Sequence, residues 1–221
     1  MRIALATEGK SEHWIIKHII ENYFKGTEIF FRQVQPQIVD DTQQTIGGWH
    51  EILNFCERNE DIKSALVETD YLVIQIDTDE SQNNDFGISH TKVGNVIKTY
   101  EELYEDVFEK LKSLINPVIF EQYCSKIIFA ICIHTIECWL LSIYFTNRHK
   151  SDTRNCLSTL NLELRRRNLE IVPPKKQKEK RNIAYESILK NWKRKQAIID
   201  SAQHNVGFKN FIYSLDTIIV E

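Results

Sequence analysis

The sequence predicts an α/β protein: a mostly parallel sheet flanked by helices, with a helical part at the C-terminal end. Three observations carry this. Short apolar runs rich in β-branched residues stand at 2–7, 71–76 and 126–133, the length of buried strands rather than of helices. Segments with apolar residues at helical spacing alternate with them, as in sheets covered on both faces. After about residue 147 the strand signals fade and charge dominates.

The elements follow in order. Residues 2–7 form the first buried strand, Glu8-Gly9-Lys10-Ser11 the turn, with Ser11 as N-cap. Over residues 12–24, Trp14, Ile15, Ile16, Ile19, Ile20, Tyr23 and Phe24 recur at helical spacing. Residues 28–34 read as a second strand. Gly47-Gly48 breaks the chain, and residues 49–57 start a helix with Trp49, Ile52, Leu53 and Cys56 on one face. Residues 71–76 are a strongly apolar strand, followed by a polar loop over 77–89 that either holds a ligand or moves. Residues 100–114 are an amphipathic helix, 126–133 a further buried strand and 134–145 an apolar helix. Pro173-Pro174 interrupts the tail, in which 183–195 and 196–216 read as helices. This gives a core over 1–146 and a basic helical part over 147–221 packed on it.

At 221 residues and 42% hydrophobic content, the chain can bury one good core. No apolar run approaches the roughly 20 residues that span a bilayer. The run Ile3-Ala4-Leu5-Ala6 is too short for a signal peptide, so a cytoplasmic protein without a membrane partner is expected. The five cysteines, Cys56, Cys124, Cys132, Cys138 and Cys156, include no Cys-x-x-Cys pair and read as buried reduced thiols rather than zinc ligands or disulfides.

The net charge of −3 hides an asymmetry. Residues 148–195 carry 15 Lys and Arg against 5 Asp and Glu, and the rest 13 against 26. Cations beside carboxylates suit a metal nuclease, the first for the phosphate backbone and the second for the ions. A solvated basic surface is the competing reading. Lys175, Lys176, Lys178, Lys180 and Arg181 form the densest run and are the candidate nucleic-acid-binding residues. Tyr185 and Trp192 interleave with the cations, as base-stacking platforms or as helix core.

The candidate chemistry lies at strand ends. Glu8 follows the first strand and Asp77-Thr78-Asp79 the strand at 71–76. Carboxylates there line the crevice where open α/β sheets bind ligands, and hard oxygen donors suit Mg²⁺. Glu12, four residues after Glu8, either shares an ion or caps the helix dipole. Asp77 and Asp79 point one way and Thr78 the other. Glu137, in Ile136-Glu137-Cys138-Trp139-Leu140-Leu141, is too deep in apolar sequence to stand unpaired, and needs a metal ion or an Arg or Lys. His134 reads more readily as a core histidine than as a ligand. Gly9-Lys10-Ser11 ends like a P-loop, but the first glycine of that motif is missing.

Glu-Gly-x-Ser-Glu at 8–12, Asp-x-Asp at 77–79 and Thr-x-Glu-x-Trp-Leu-Leu at 135–141 resemble a TOPRIM domain. The likeness is closest to OLD-type nucleases and small stand-alone TOPRIM proteins of bacterial defence loci. It covers residues 2–145, and more weakly Pro173-Pro174-Lys175-Lys176 and Gly207-Phe208-x-x-Phe211. The resemblance implies a TOPRIM-like sheet with Glu8, Asp77 and Asp79 binding Mg²⁺ or Mn²⁺. It implies that Glu12, Thr135 and Glu137 complete a two-ion site, and that a downstream Lys acts at the scissile phosphate. Lys176 is the candidate, with Lys175, Lys178 and Lys180 as competitors. Glu8, Glu137 and Lys176 are then the catalytic residues. Glu80-Ser81 after Asp79 departs from the topoisomerase pattern, and no Tyr stands in an obvious cleavage setting.

The expected function is a metal-dependent nuclease in anti-phage defence, using one or two ions on DNA or RNA, alone or with a separately encoded ATPase and further copies of itself. The alternative is a non-catalytic TOPRIM-fold subunit that binds nucleic acid or that ATPase.

Overall fold

The computed structural model describes residues 1–39, 42, 43, 45–174 and 177–219. The strands are β1 (Arg2–Ala6), β2 (Phe30–Gln35), the two-residue β3 (Ile38–Val39) and β4 (Thr42–Gln43), β5 (Tyr71–Asp77) and β6 (Ile127–Cys132). Four of them form one sheet in the order β2-β1-β5-β6, and every neighbour pair is parallel. β3 and β4 form a separate antiparallel pair.

Parallel strands need helical crossovers, so both faces of the sheet are buried. Successive side chains alternate between them. Ile3, Leu5, Val73, Ile128 and Ala130 join one core. Ala4, Ala6, Leu72, Ile74, Ile76, Phe129 and Ile131 join the other. The first core is closed by α1 (Lys10–Tyr23), α6 (Glu137–Tyr144), α7 (Cys156–Arg166), α8 (Lys178–Leu189), α9 (Lys195–Ala202) and α10 (Val206–Asp216). The second is closed by α2 (Trp49–Glu57), α3 (Asn59–Glu68), α4 (Tyr100–Leu114) and α5 (Pro117–Tyr123). The basic C-terminal helices thus share one core with α1 and with strands on the N-terminal side of residue 146. Trp139 stacks on Phe208 with ring centroids 4.6 Å apart, and Trp192 meets Phe208 tilted at 41° with centroids 5.3 Å apart. Buried aromatics of this size dominate core energetics. Tyr185 and Trp192 are core residues, 0% and 2% exposed.

The structure shifts several expected boundaries. Helix α1 is capped by Gly9, not Ser11. Helix α6 starts at Glu137, because His134 takes a left-handed φ of 64° and its neighbours turn before the helix begins. The helix expected over 183–195 starts at Lys178. The helix expected over 196–216 is two, split where the Asn205 side chain accepts from the Phe208 amide at 3.2 Å and caps α10. Short α3, α5 and α7 are additional. The loop after β5 is anchored by Phe86, fully buried and stacked on Trp49.

The reading of the cysteines as reduced thiols is corrected in part. Cys138 and Cys156 form a disulfide with Cα atoms 5.0 Å apart, and Cys124 is exposed. The pairing arises because the first turns of α6 and α7 start side by side, which an 18-residue separation does not announce. Among the described residues no helix is long and apolar enough to cross a membrane.

Candidate functional site

The strand order reverses between β1 and β5. In doubly wound sheets ligands bind in the crevice outside the carboxyl ends of such a pair. Glu8 and Asp77 stand at those two ends.

Gln75, a fully buried polar residue in the middle of β5, ties them together. Its Oε1 accepts from the Glu8 amide at 3.1 Å, and its Nε2 donates to Asp77 Oδ1 at 2.9 Å. Glu8 Oε1 accepts from the Asp77 amide at 2.6 Å, a charge-assisted bond. Asp77 is buried, and its proton affinity rises well above the usual carboxylate range. Burial is the largest cause, followed by the negative charges of Glu8, Glu12, Glu137 and Asp79.

Thr78 points away from this cluster and laces the strand ends. Its amide donates to the Cys132 and His134 carbonyls at 3.1 and 2.8 Å, and its Oγ1 accepts from the His134 amide at 2.7 Å. Asp79 is exposed and lines the same cleft as Asp77. Gly9 is extended, with φ −165°, so its role is space rather than an unusual turn. A Cβ there would stand 2.8 Å from Glu12 Oε2, so the glycine lets the Glu12 carboxylate fold back toward the strand end.

Glu137 is 4% exposed. It is ion-paired with Arg181 and accepts from the Tyr185 hydroxyl at 2.6 Å. Arg181 also donates to the Pro173 carbonyl at 3.0 Å. Arg181 is therefore a buried counter-charge rather than a solvent-facing phosphate contact, because a carboxylate at this depth demands one. Glu137 nevertheless lines the cleft with Asp77, so the cleft position and the core ion pair occur together. Burial and the adjacent Glu137 charge push the Tyr185 hydroxyl well above its usual range.

The cleft, about 800 Å³, is lined by Glu12, Asp77, Asp79, Glu137, Thr135 and Arg181, with His134 and residues 153–158 among the rest of its wall. A smaller recess of about 330 Å³ holds Glu8. Glu12, Asp77 and Arg181 line both. Among the described residues no three His, Cys, Asp or Glu side chains are arranged to hold one ion. The expected convergence of Glu8, Asp77 and Asp79 on a single cation is thus not present in this arrangement. Glu8 is turned to the Asp77 amide. Burial lowers the His134 pKa to about 4, helped by His90 and Arg154, so the ring is neutral near pH 7. Its Nε2 accepts from Arg154 Nε at 3.1 Å.

Of the expected basic contacts, Lys175 and Lys176 lie outside the described residues. Lys178 belongs to α8, with its side chain outside the description, and Lys180 is exposed. Sequence reasoning missed Gln75, Thr153 and Arg154. A polar residue inside an apolar strand was the available signal for the first, and nothing local marks the other two. No family model, curated protein or solved structure matches the chain.

Proposed function

We propose that this chain is a Mg²⁺- or Mn²⁺-dependent phosphodiesterase of TOPRIM type that cleaves nucleic acid, with a place in anti-phage defence and a separately encoded ATPase as candidate partner. The observation that carries the reading is Asp77: a buried carboxylate at the reversal of strand order, with four further carboxylates raising its proton affinity. A set of hard oxygen donors with excess negative charge fits a divalent cation. Glu8 would have to turn from the Asp77 amide to hold one ion with Asp77 and Asp79, with Glu12 and Glu137 the candidates for a second. Bound there, the metal supplies Lewis-acid activation of water and of the phosphodiester. The chain's own groups set the frame. Gln75 fixes the Asp77 carboxylate through its Nε2 bond. Arg181, whose guanidinium stands on the wall of both recesses, balances the Glu137 charge and so holds that carboxylate at the cleft. The Lys-rich run at 175–180 supplies non-specific attraction for the backbone.

The test is a calorimetric Mn²⁺ titration with cleavage assays on single- and double-stranded DNA and RNA. The chain should bind Mn²⁺ and cleave at least one substrate. Asp77→Ala should abolish both while its melting temperature without metal stays level or rises, since removing one of several clustered charges relieves repulsion. Equal Mn²⁺ binding by the two proteins, with no cleavage, overturns the reading. Glu137→Gln should lose on the order of 3–5 kcal/mol of stability, because it strips a buried guanidinium of its counter-charge.

The engagement of Glu137 by Arg181 and Tyr185 favours a second reading, a non-catalytic subunit of the same fold. Salt-sensitive nucleic-acid binding without Mn²⁺ binding or cleavage would be its signature.

A further inference from the structure

The wall of the cleft formed by residues 153–158 carries no carboxylate. Within it Asn155 takes a left-handed φ of 55° and leads into α7 without a side-chain cap. Helix α7 has 11 residues. Among the described residues, no acceptor meets the amides of Cys156, Leu157 or Ser158, while the Thr159 amide already binds the Asn155 carbonyl at 3.0 Å. These first-turn amides carry the positive end of the helix dipole and are a ready set of donors for an anion.

A second, independent feature points to a ligand at the same place. Thr153 is 5% exposed and lines the cleft, and its Oγ1 is buried without a hydrogen-bond partner. Leaving a buried hydroxyl unsatisfied forfeits its hydration with nothing in return, so such groups call for an explanation. Beside it, Arg154 is held at its Nε by His134, and among the described residues no carboxylate pairs with it. The disulfide at Cys156 fixes this wall to α6, one residue from Glu137.

We propose that Thr153, Arg154 and the first-turn amides of α7 form a phosphate-binding pocket for a nucleic-acid phosphate next to the one cleaved. The proposal rests on the phosphodiesterase reading for the identity of its ligand. Its chemistry is complementary to the rest of the cleft. On that reading the carboxylate wall would serve the scissile group, while the carboxylate-free wall takes a neighbouring phosphate and so sets the register of the strand. The neighbour is either an internal phosphodiester or a terminal 5′-monophosphate.

The experiment is calorimetric titration of inorganic phosphate into the metal-free full chain. Saturable one-to-one binding is expected. Arg154→Gln should weaken it about tenfold or more, the loss of a charge-assisted contact, and Thr153→Val about fivefold, the loss of a neutral one. Thr153→Val should also keep or raise the melting temperature, because it removes an unsatisfied hydroxyl; a merely structural threonine would lower it. Lys193→Gln, an exposed change in the same basic segment, should bind phosphate as the unmodified chain does. Absence of saturable binding, or an equal loss in Lys193→Gln and Arg154→Gln, overturns the pocket. Repeating the titration with the thymidine dinucleotide carrying a 5′-phosphate and with its 5′-hydroxyl form separates the sources: tighter binding of the first assigns a terminal phosphate, equal binding an internal one. Phosphate binding with no Mn²⁺ binding removes the phosphodiesterase reading and leaves the pocket. Mn²⁺-dependent cleavage without phosphate binding removes the pocket alone.

Discussion

His134 joins three functions of the backbone and side chain in one residue. It turns the chain with a left-handed φ of 64°, its amide and carbonyl lace β6 to the Asp77-Thr78-Asp79 segment, and its ring orients Arg154. Its pKa falls from 6.5 to about 4 through burial, then through His90 and Arg154. The sign follows directly. The unfolded chain takes up a proton near pH 6.5 and the folded chain resists it, so stability present above that pH is lost as pH falls toward about 4. Asn tolerates left-handed backbone better than most residues. His134→Asn should therefore fold and show a flatter decline of melting temperature between those pH values than the unmodified chain. Parallel curves would mean that His134 contributes nothing to acid sensitivity. At this scale the sequence was legible where chemistry is local. Glu8, Glu12, Asp77, Asp79 and Glu137 all come to the two linked recesses. It was not legible where the partner is remote: Arg181 lies 44 residues from Glu137, and only the packing of α8 against the rest of the core brings them together.

Among the elements, α10 is placed by an absence. A Cβ on Gly207 would stand 2.0 Å from the Ile131 carbonyl oxygen of β6, closer than atoms can approach. Alanine is the better helix former by up to about 1 kcal/mol, but Gly207 is in the first turn and the obstacle is backbone that cannot rotate away. The clash wins. Gly207→Ala should destabilise by about 1–3 kcal/mol, the usual range for overpacking, read as a lower urea midpoint. An unchanged midpoint would mean that α10 can slide at no cost. The four strands of the parallel sheet were readable within one or two residues because short apolar runs are sharp signals, whereas the two-residue β3 and β4 carry none and were missed. The helices missed are short, and their positions depend on packing. Asn116-Pro117 did carry a start signal for α5, and the Asn116 side chain caps it, accepting from the Val118 amide at 2.9 Å.

For the whole molecule, charge and packing divide the chain differently. Charge sets residues 148–195 apart, and from composition this reads as an appendage. Packing does not respect that line, since α7–α10 fill the same core as Ile3, Leu5 and Val73. A fragment ending at residue 146 should accordingly lack cooperative unfolding and expose apolar surface to a dye such as ANS. A sharp two-state melt of that fragment would establish the C-terminal helices as dispensable.

The shared core also dictates an order of events in time. α2 to α5 can cover their face of the sheet from residues 49–123, and β6 joins it soon after. The opposite face receives α1 early, but it is completed only by Ala184, Tyr185, Phe208, Phe211 and Leu215. Closure over such separations is slow, because loop entropy is lost before the contacts reward it. During synthesis the half-covered sheet is open to chaperones and to other nascent chains, and the stacking of Trp139 on Phe208 marks the moment that exposure ends.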